Sequence, residues 1–275
     1  MFRFIKLFKK HSDYEEYINS DDKILPNVSL CGDDNNCVHY NPIPHNYSQD
    51  YLTFVALENG TFTFTPKNSN VISYSTDNGE NWTQGNSVTV SNGDKILWKG
   101  EMTPASSQGI GTFSATGNFD IEGNAMSLLF GDNYKEQIDL TGKNYVFYQL
   151  FNGNTKVVNA ENLSLPATTL ANHCYNSMFY GCTSLEIAPE LPAMTLAFYC
   201  YNTMFCGCTN LRYIKSMFTT TPGMMYTNSW VSGVAATGTF VKNSAAEWDV
   251  SGVDGIPEGW TVETASIDYV TDEGL

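Results

Sequence analysis

A 26-residue internal repeat limits what this chain can fold into. Leu165 to Leu185 recurs as Leu191 to Leu211, and the offset is constant at Cys174 and Cys200, Tyr175 and Tyr201, Met178 and Met204, Phe179 and Phe205, Gly181 and Gly207, and Cys182 and Cys208. A degenerate earlier copy places Phe151, Gly153 and Thr155 28 residues before Phe179, Gly181 and Thr183, and Leu211 to Met217 begins another turn that decays. A period in the twenties with fixed Leu, Met-Phe and Cys positions suits a solenoid, because each coil needs its neighbours to cover its apolar edge. Two full and two partial copies sit near the minimum of about three repeats, so the ends require caps. The stretch before the repeat supplies one, and Trp230 to Trp260 the other.

The stretch before it reads as a small antiparallel β-domain. Strand signals run over residues 51–57, 60–65, 71–74, 87–90, 95–98 and 111–119, and Asn59-Gly60, Asn78-Gly79, Asn92-Gly93 and Gly117-Asn118 supply the positive φ angles of tight hairpins. Charged residues are only 16% of the 275, whereas aromatic residues are 13%, a balance that suits β-structure with many turns. The net charge of -15 disfavours a nucleic-acid partner. No run approaches the roughly 18 apolar residues that a membrane span needs, so no membrane insertion is expected.

The front differs from the rest. Arg3, Lys6, Lys9 and Lys10 put four positive charges in the first ten residues and leave ten basic against 29 acidic residues elsewhere. Met1 to Lys10 lacks the apolar run and small-residue cleavage site of a signal peptide, so no Sec export signal is expected. Ser12 to Glu15 reads as a capping box that opens a short helix through Ile18. From Asp21 to Gln49 the periodicity vanishes among prolines, glycine and asparagines. The apolar residues of that arm, including Ile24, Leu25, Val28, Leu30, Val38 and Tyr40, then require cover from the next domain or another subunit.

Seven cysteines are present. In a solenoid Cys174 stacks over Cys200 and Cys182 over Cys208, giving a ladder of small buried thiols, although a coil spacing near 4.8 Å also permits disulfides. Cys31 and Cys37 lack zinc-knuckle spacing, and the histidines form no ligand set, so neither a metal nor a cofactor is expected. Ser75, Asp77, Gly79 and Trp82 resemble an Asp box, the hairpin of sialidases and many other β-proteins; a single copy reads as structural. No nucleophile elbow, P-loop or zinc-protease motif occurs, so no catalytic residue is assigned and the chain reads as a non-enzyme. Surface recognition remains. Tyr175, Tyr180, Tyr199 and Tyr201 recur on the repeat and are the candidate ligand contacts, with some of them expected in the core.

The units Tyr175 to Leu185 and Tyr201 to Leu211 resemble BspA-type leucine-rich repeats, common in surface proteins of gut Bacteroidetes and their phages. The likeness extends to residues 109–128, 230–241 and 255–262. Lys23 to Pro42 is similar to an N-terminal segment of virion proteins of Bacteroides phages, including crAss-like phages. These resemblances imply a phage structural protein on the outer surface of the head, a head fibre or decoration whose start binds capsid proteins. The docking residues implied are Phe4, Phe8, Tyr14, Tyr17, Ile24, Leu25, Pro26, Val28, Val38 and Tyr40. The expected plan is mainly β. A capsid-docking arm with a short helix spans 1–49, an antiparallel β-domain 50–143, a BspA-like solenoid with its cap 144–262, and an acidic tail 263–275. A homotrimer is expected, with a host surface glycan or protein as external partner; a bacterial surface adhesin is the alternative.

Overall fold

Alternating apolar residues in the first half produce two facing sheets whose inner rows are aromatic. The computed structural model describes residues 28–31, 37–40 and 50–265, and the fold is mainly β. The chain divides into two units: residues 1–46 with 267–275, and residues 47–266. In the first unit the described residues are strands β1 (Val28–Cys31) and β2 (Cys37–Tyr40). They pair antiparallel, with Val28 opposite Tyr40 and Leu30 opposite Val38. The short helix expected near Ser12 to Ile18 lies outside the described residues.

The second unit begins with β3 (Leu52–Ala56), β4 (Gly60–Pro66), β5 (Ile72–Ser75), β6 (Thr83–Gln84), β7 (Ser87–Val90), β8 (Lys95–Gly100), β9 (Gly111–Ala115) and β10 (Phe119–Asn124). One sheet runs β10-β3-β8-β5-β6 and the other β7-β4-β9, and the pairings within this set are antiparallel. Residues 111–119, expected as one strand, are the ends of two: the chain turns at 116–118 and passes from one sheet to the other. Phe54 of β3 joins the layers, with its ring 4.8 Å from Phe113 and 5.4 Å from Phe62. A short helix, α1 (Ser127–Phe130), which the sequence reading did not anticipate, follows β10.

At β10 the pairing changes from antiparallel to parallel. β11 (Val157–Asn159) and β12 (Leu163–Ser164) lie parallel to β10, and single bridges continue from Asn159 to Ile187 and from Ile187 to Tyr213. There β13 (Tyr213–Ser216), β14 (Thr239–Asn243) and β15 (Thr261–Ala265) follow as a parallel sheet. Each pass thus contributes one rung, and the steps between rungs match the repeat. Within Trp230 to Trp260, expected as a terminal cap, β14 adds a further rung parallel to β13. Residues 263–265, expected within an acidic tail, belong to β15.

The return path of each pass is a run of overlapping turns. Tyr148, Leu150, Asn152 and Asn154 donate their N–H groups to carbonyls three residues earlier, while Phe147, Gln149, Phe151 and Gly153 donate to Cys174, Asn176, Met178 and Tyr180 at 2.7–3.1 Å. The next pass repeats this: Tyr175, Ser177, Phe179 and Gly181 donate to Cys200, Asn202, Met204 and Cys206. Tyr201, Thr203, Phe205 and Gly207 then donate to Tyr226, Asn228, Trp230 and Ser232. Alternate amides therefore close turns or bridge passes, which satisfies backbone that neither helix nor sheet serves.

Inside, like residues stack. Phe151, Phe179 and Phe205 form a column with centroid spacings of 5.2 and 5.8 Å; Phe113 of β9 begins it and Trp230 ends it. One continuous core consequently runs from Leu52 to Trp260, across residues 143 and 144 without a break. The thiols join it. Cys182 donates to the Phe151 carbonyl and Cys208 to that of Phe179, at 3.1 and 3.0 Å, and Cys174, Cys182, Cys200, Cys206 and Cys208 are free thiols.

Candidate functional site

The turn run sets which side chains face outward. Its backbone enters the left-handed region once every four residues: Tyr145, Gln149 and Gly153 in one pass, His173, Ser177 and Gly181 in the next, and Tyr199, Thr203 and Gly207 in the third. Glycine occupies this region without strain, whereas a side chain costs roughly 1–2 kcal/mol. One of the three columns is nevertheless filled by Tyr145, His173 and Tyr199, whose φ angles are 61°, 57° and 52°. Large rings held in a costly conformation and kept out of the main core mark a place where function is sought.

The three rings are stacked and half-buried. Tyr145 and His173 lie 4.2 Å apart with planes 10° from parallel, and His173 and Tyr199 lie 5.1 Å apart at 30°. Asn176 holds the imidazole through a 3.0 Å bond to Nδ1. With that nitrogen accepting from the amide, His173 carries its proton on Nε2, and burial pushes its pKa below the ordinary histidine value. The column therefore adds no positive charge near neutrality.

An apolar ledge adjoins Tyr199. The Phe198 ring meets that of Tyr199 edge-on at 4.2 Å, and the Tyr199 N–H donates to the Met225 carbonyl at 2.7 Å. Phe198, Met224 and Met225 are 41%, 70% and 57% exposed, which is unusual for residues of this size in a well-packed protein. Adaptable thioethers beside rigid rings are a common composition of protein contact surfaces.

The tyrosines singled out from sequence separate into three groups. Tyr175 and Tyr201 are corrected: both are fully buried, stacked 5.8 Å apart in a second internal column headed by Phe147, and neither is open to a ligand. The reason is their turn position, which points them at the core. Tyr199 joins the outward column. Tyr180 is exposed, at the position that Cys206 takes one pass later, and stands apart from that column. Of the docking residues, Val28, Val38 and Tyr40 fall on β1 and β2, whereas Phe4, Phe8, Tyr14, Tyr17, Ile24, Leu25 and Pro26 lie outside the described residues. Tyr145, His173, Phe198, Met224 and Met225 were not foreseen. A signal existed in the 28- and 26-residue steps from Tyr145 to His173 to Tyr199, which are the steps of the repeat itself.

The Asp-box hairpin is built as its residues suggest. Asp77 accepts from the Asn81 backbone at 2.9 Å and from the Ser75 hydroxyl at 2.7 Å, and Gly79 has φ of 89°. These bonds, the Asn81 backbone first, lower the Asp77 pKa to about 2. Trp82 lies beneath Lys99, whose ammonium sits 4.1 Å from the ring centroid while pairing with Asp132. The arrangement is a staple of turn and sheet. Among the described residues no group of three or more His, Cys, Asp or Glu side chains is placed to hold a metal ion, and no helix is long and apolar enough to cross a membrane. Comparison with protein-family models, curated proteins and solved structures returns no match.

Proposed function

We propose that this chain is a structural protein of a phage virion, a head fibre that attaches to the capsid through residues 1–49 and presents a BspA-like leucine-rich-repeat solenoid to the host surface. The attachment half rests on the resemblance of residues 23–42 to phage virion proteins and on the partition of residues 1–46 from residues 47–266. The recognition half is carried by one observation: the outward column of Tyr145, His173 and Tyr199 with its Phe198 and Met225 ledge. Rings that the core does not use, in a backbone conformation that disfavours them, are accounted for by an external partner. Many such tips on one particle bind through avidity, so each can be weak. A homotrimer suits a fibre, because identical copies can cover one another's strand edges.

The test is deletion of residues 1–45 in the phage. The truncated chain is expected to be made but missing from purified particles; continued incorporation contradicts the anchor. The likeness of Tyr175 to Leu211 to bacterial surface-protein repeats favours one second reading, a cell-surface adhesin. Labelling of intact uninfected bacteria by antibodies to the repeat distinguishes the two.

A further inference from the structure

A cavity of about 410 Å³ opens on the parallel-sheet side of the repeat, where Glu161, Ile187, Arg212, Tyr213, Gly238 and Thr239 meet. We infer that it is a binding site for a neutral saccharide. This rests on the reading of the repeat as the outward, host-contacting part of the molecule, and it names the ligand class and a place for it away from the outward ring column.

The floor is rigid. Ile187, Tyr213 and Thr239 occupy the same rung position on successive passes, and the backbone beside them is tied pass to pass. Glu186 N–H donates to the Val158 carbonyl, Arg212 N–H to that of Glu186, and Thr239 N–H to that of Arg212, at 2.8–3.0 Å. Gly238 lets adjacent passes approach closely, since a Cβ there would lie 2.4 Å from the Arg212 carbonyl oxygen and 2.8 Å from Trp260. Side chains on such a frame are held in place before a ligand arrives. The volume lies within the range of about 300–1,000 Å³ usual for small-molecule sites.

The lining chemistry selects the ligand class. Tyr213 offers an aromatic surface and a hydroxyl, Thr237 and Thr239 further hydroxyls, and Glu161 a carboxylate that accepts from sugar hydroxyls. Burial first, and then the charges of Glu190, Glu263 and Glu161 against that of Lys215, raise the Tyr213 pKa, so the phenol remains a donor. The lining cation Arg212 is already paired with Glu186, and the neighbouring Lys215 with Glu190. An anionic sugar would find the nearby cations engaged and the Glu161 carboxylate in the lining, with the charges of Glu190 and Glu263 acting at Tyr213, whereas a neutral one meets donors, acceptors and a ring.

Titration calorimetry of the purified full chain tests this, with neutral oligosaccharides of glucose, galactose, mannose and N-acetylglucosamine and with sialyllactose as the anionic comparator. At least one neutral saccharide is expected to bind better than sialyllactose. Glu161→Gln and Thr239→Val, both at surface positions, should each weaken binding by about tenfold, whereas Val71→Ser, at an exposed position outside the cavity lining, leaves it unchanged. Absence of neutral-saccharide binding at millimolar concentration, preference for sialyllactose, or indifference to both cavity variants overturns the inference. The readout is independent of particle incorporation. A chain that enters virions but binds no saccharide rejects the cavity alone, and one that binds saccharide but is missing from virions rejects the fibre reading.

Discussion

Phe151 and Phe179 occupy the same position on successive passes, with ring centroids 5.2 Å apart and planes 12° from parallel. That contact repeats once more to Phe205, so each ring is both wall and floor for its neighbours. A pass has little core of its own, and its stability comes from the pass beside it.

Phe179 is therefore the sensitive position. Replacement by Ala removes a fully buried ring from the middle of the column and should cost about 3–5 kcal/mol, read as a lower midpoint in urea unfolding. Phe179→Leu should cost distinctly less. Equal tolerance of both would mean that the column does not bear on stability.

Gly207 should not accept a side chain. Its φ is 79°, and a Cβ would sit 3.5 Å from the Cα of Gly181, so space is adequate and backbone conformation is the obstacle. Gly207→Ala is expected to destabilise by about 1–2 kcal/mol and Gly207→Asn by less, since Asn tolerates the left-handed region. Denaturant midpoints of the two variants give the comparison.

Tyr199→Asn separates recognition from folding. The substitution loses ring contacts with His173 and Phe198 but relieves a left-handed tyrosine, so stability should change by no more than about 1 kcal/mol. Adsorption of the particles to host cells should fall. A variant that unfolds, or one that adsorbs normally, contradicts the role given to the outward column.

The thiols should react unequally. Burial raises the pKa of Cys182 and Cys200 to about 12 and moves Cys174, Cys208 and Cys206 upward as well, but of these five Cys206 alone is only half-buried. Brief iodoacetamide treatment of native protein, followed by peptide mapping, should mark Cys206 and spare Cys174, Cys182, Cys200 and Cys208 until denaturant is added.

Acid should loosen the Asp77 hairpin in a defined window. Its carboxyl pKa is about 2 in the folded chain against an ordinary value of 3.8, so its contribution is complete above pH 4 and is lost as pH falls toward 2. Comparison of unfolding midpoints at pH 5 and pH 2.5 should show a smaller difference in Asp77→Asn than in the unaltered chain.

The inward residues were legible because burial demands the same residue type at each pass. Phe151, Phe179 and Phe205 announce themselves by identity at a fixed step, as do Cys182 and Cys208. The outward column was not, because Tyr145, His173 and Tyr199 differ in type, and their direction comes from a left-handed turn every four residues, a period belonging to neither helix nor strand. Tyr175 and Tyr199 looked equivalent for that reason, yet one lies in the core and the other at the surface. The cavity was equally hidden, since Glu161, Tyr213 and Thr239 become neighbours only through the parallel rungs.

Quantitative mass spectrometry of purified phage particles tests the central claim most directly. The chain should be present in many copies per virion, in constant ratio to the major capsid protein through successive density-gradient steps. Its absence from particles, or its recovery only with the envelopes of uninfected cells, would contradict the assignment to the virion.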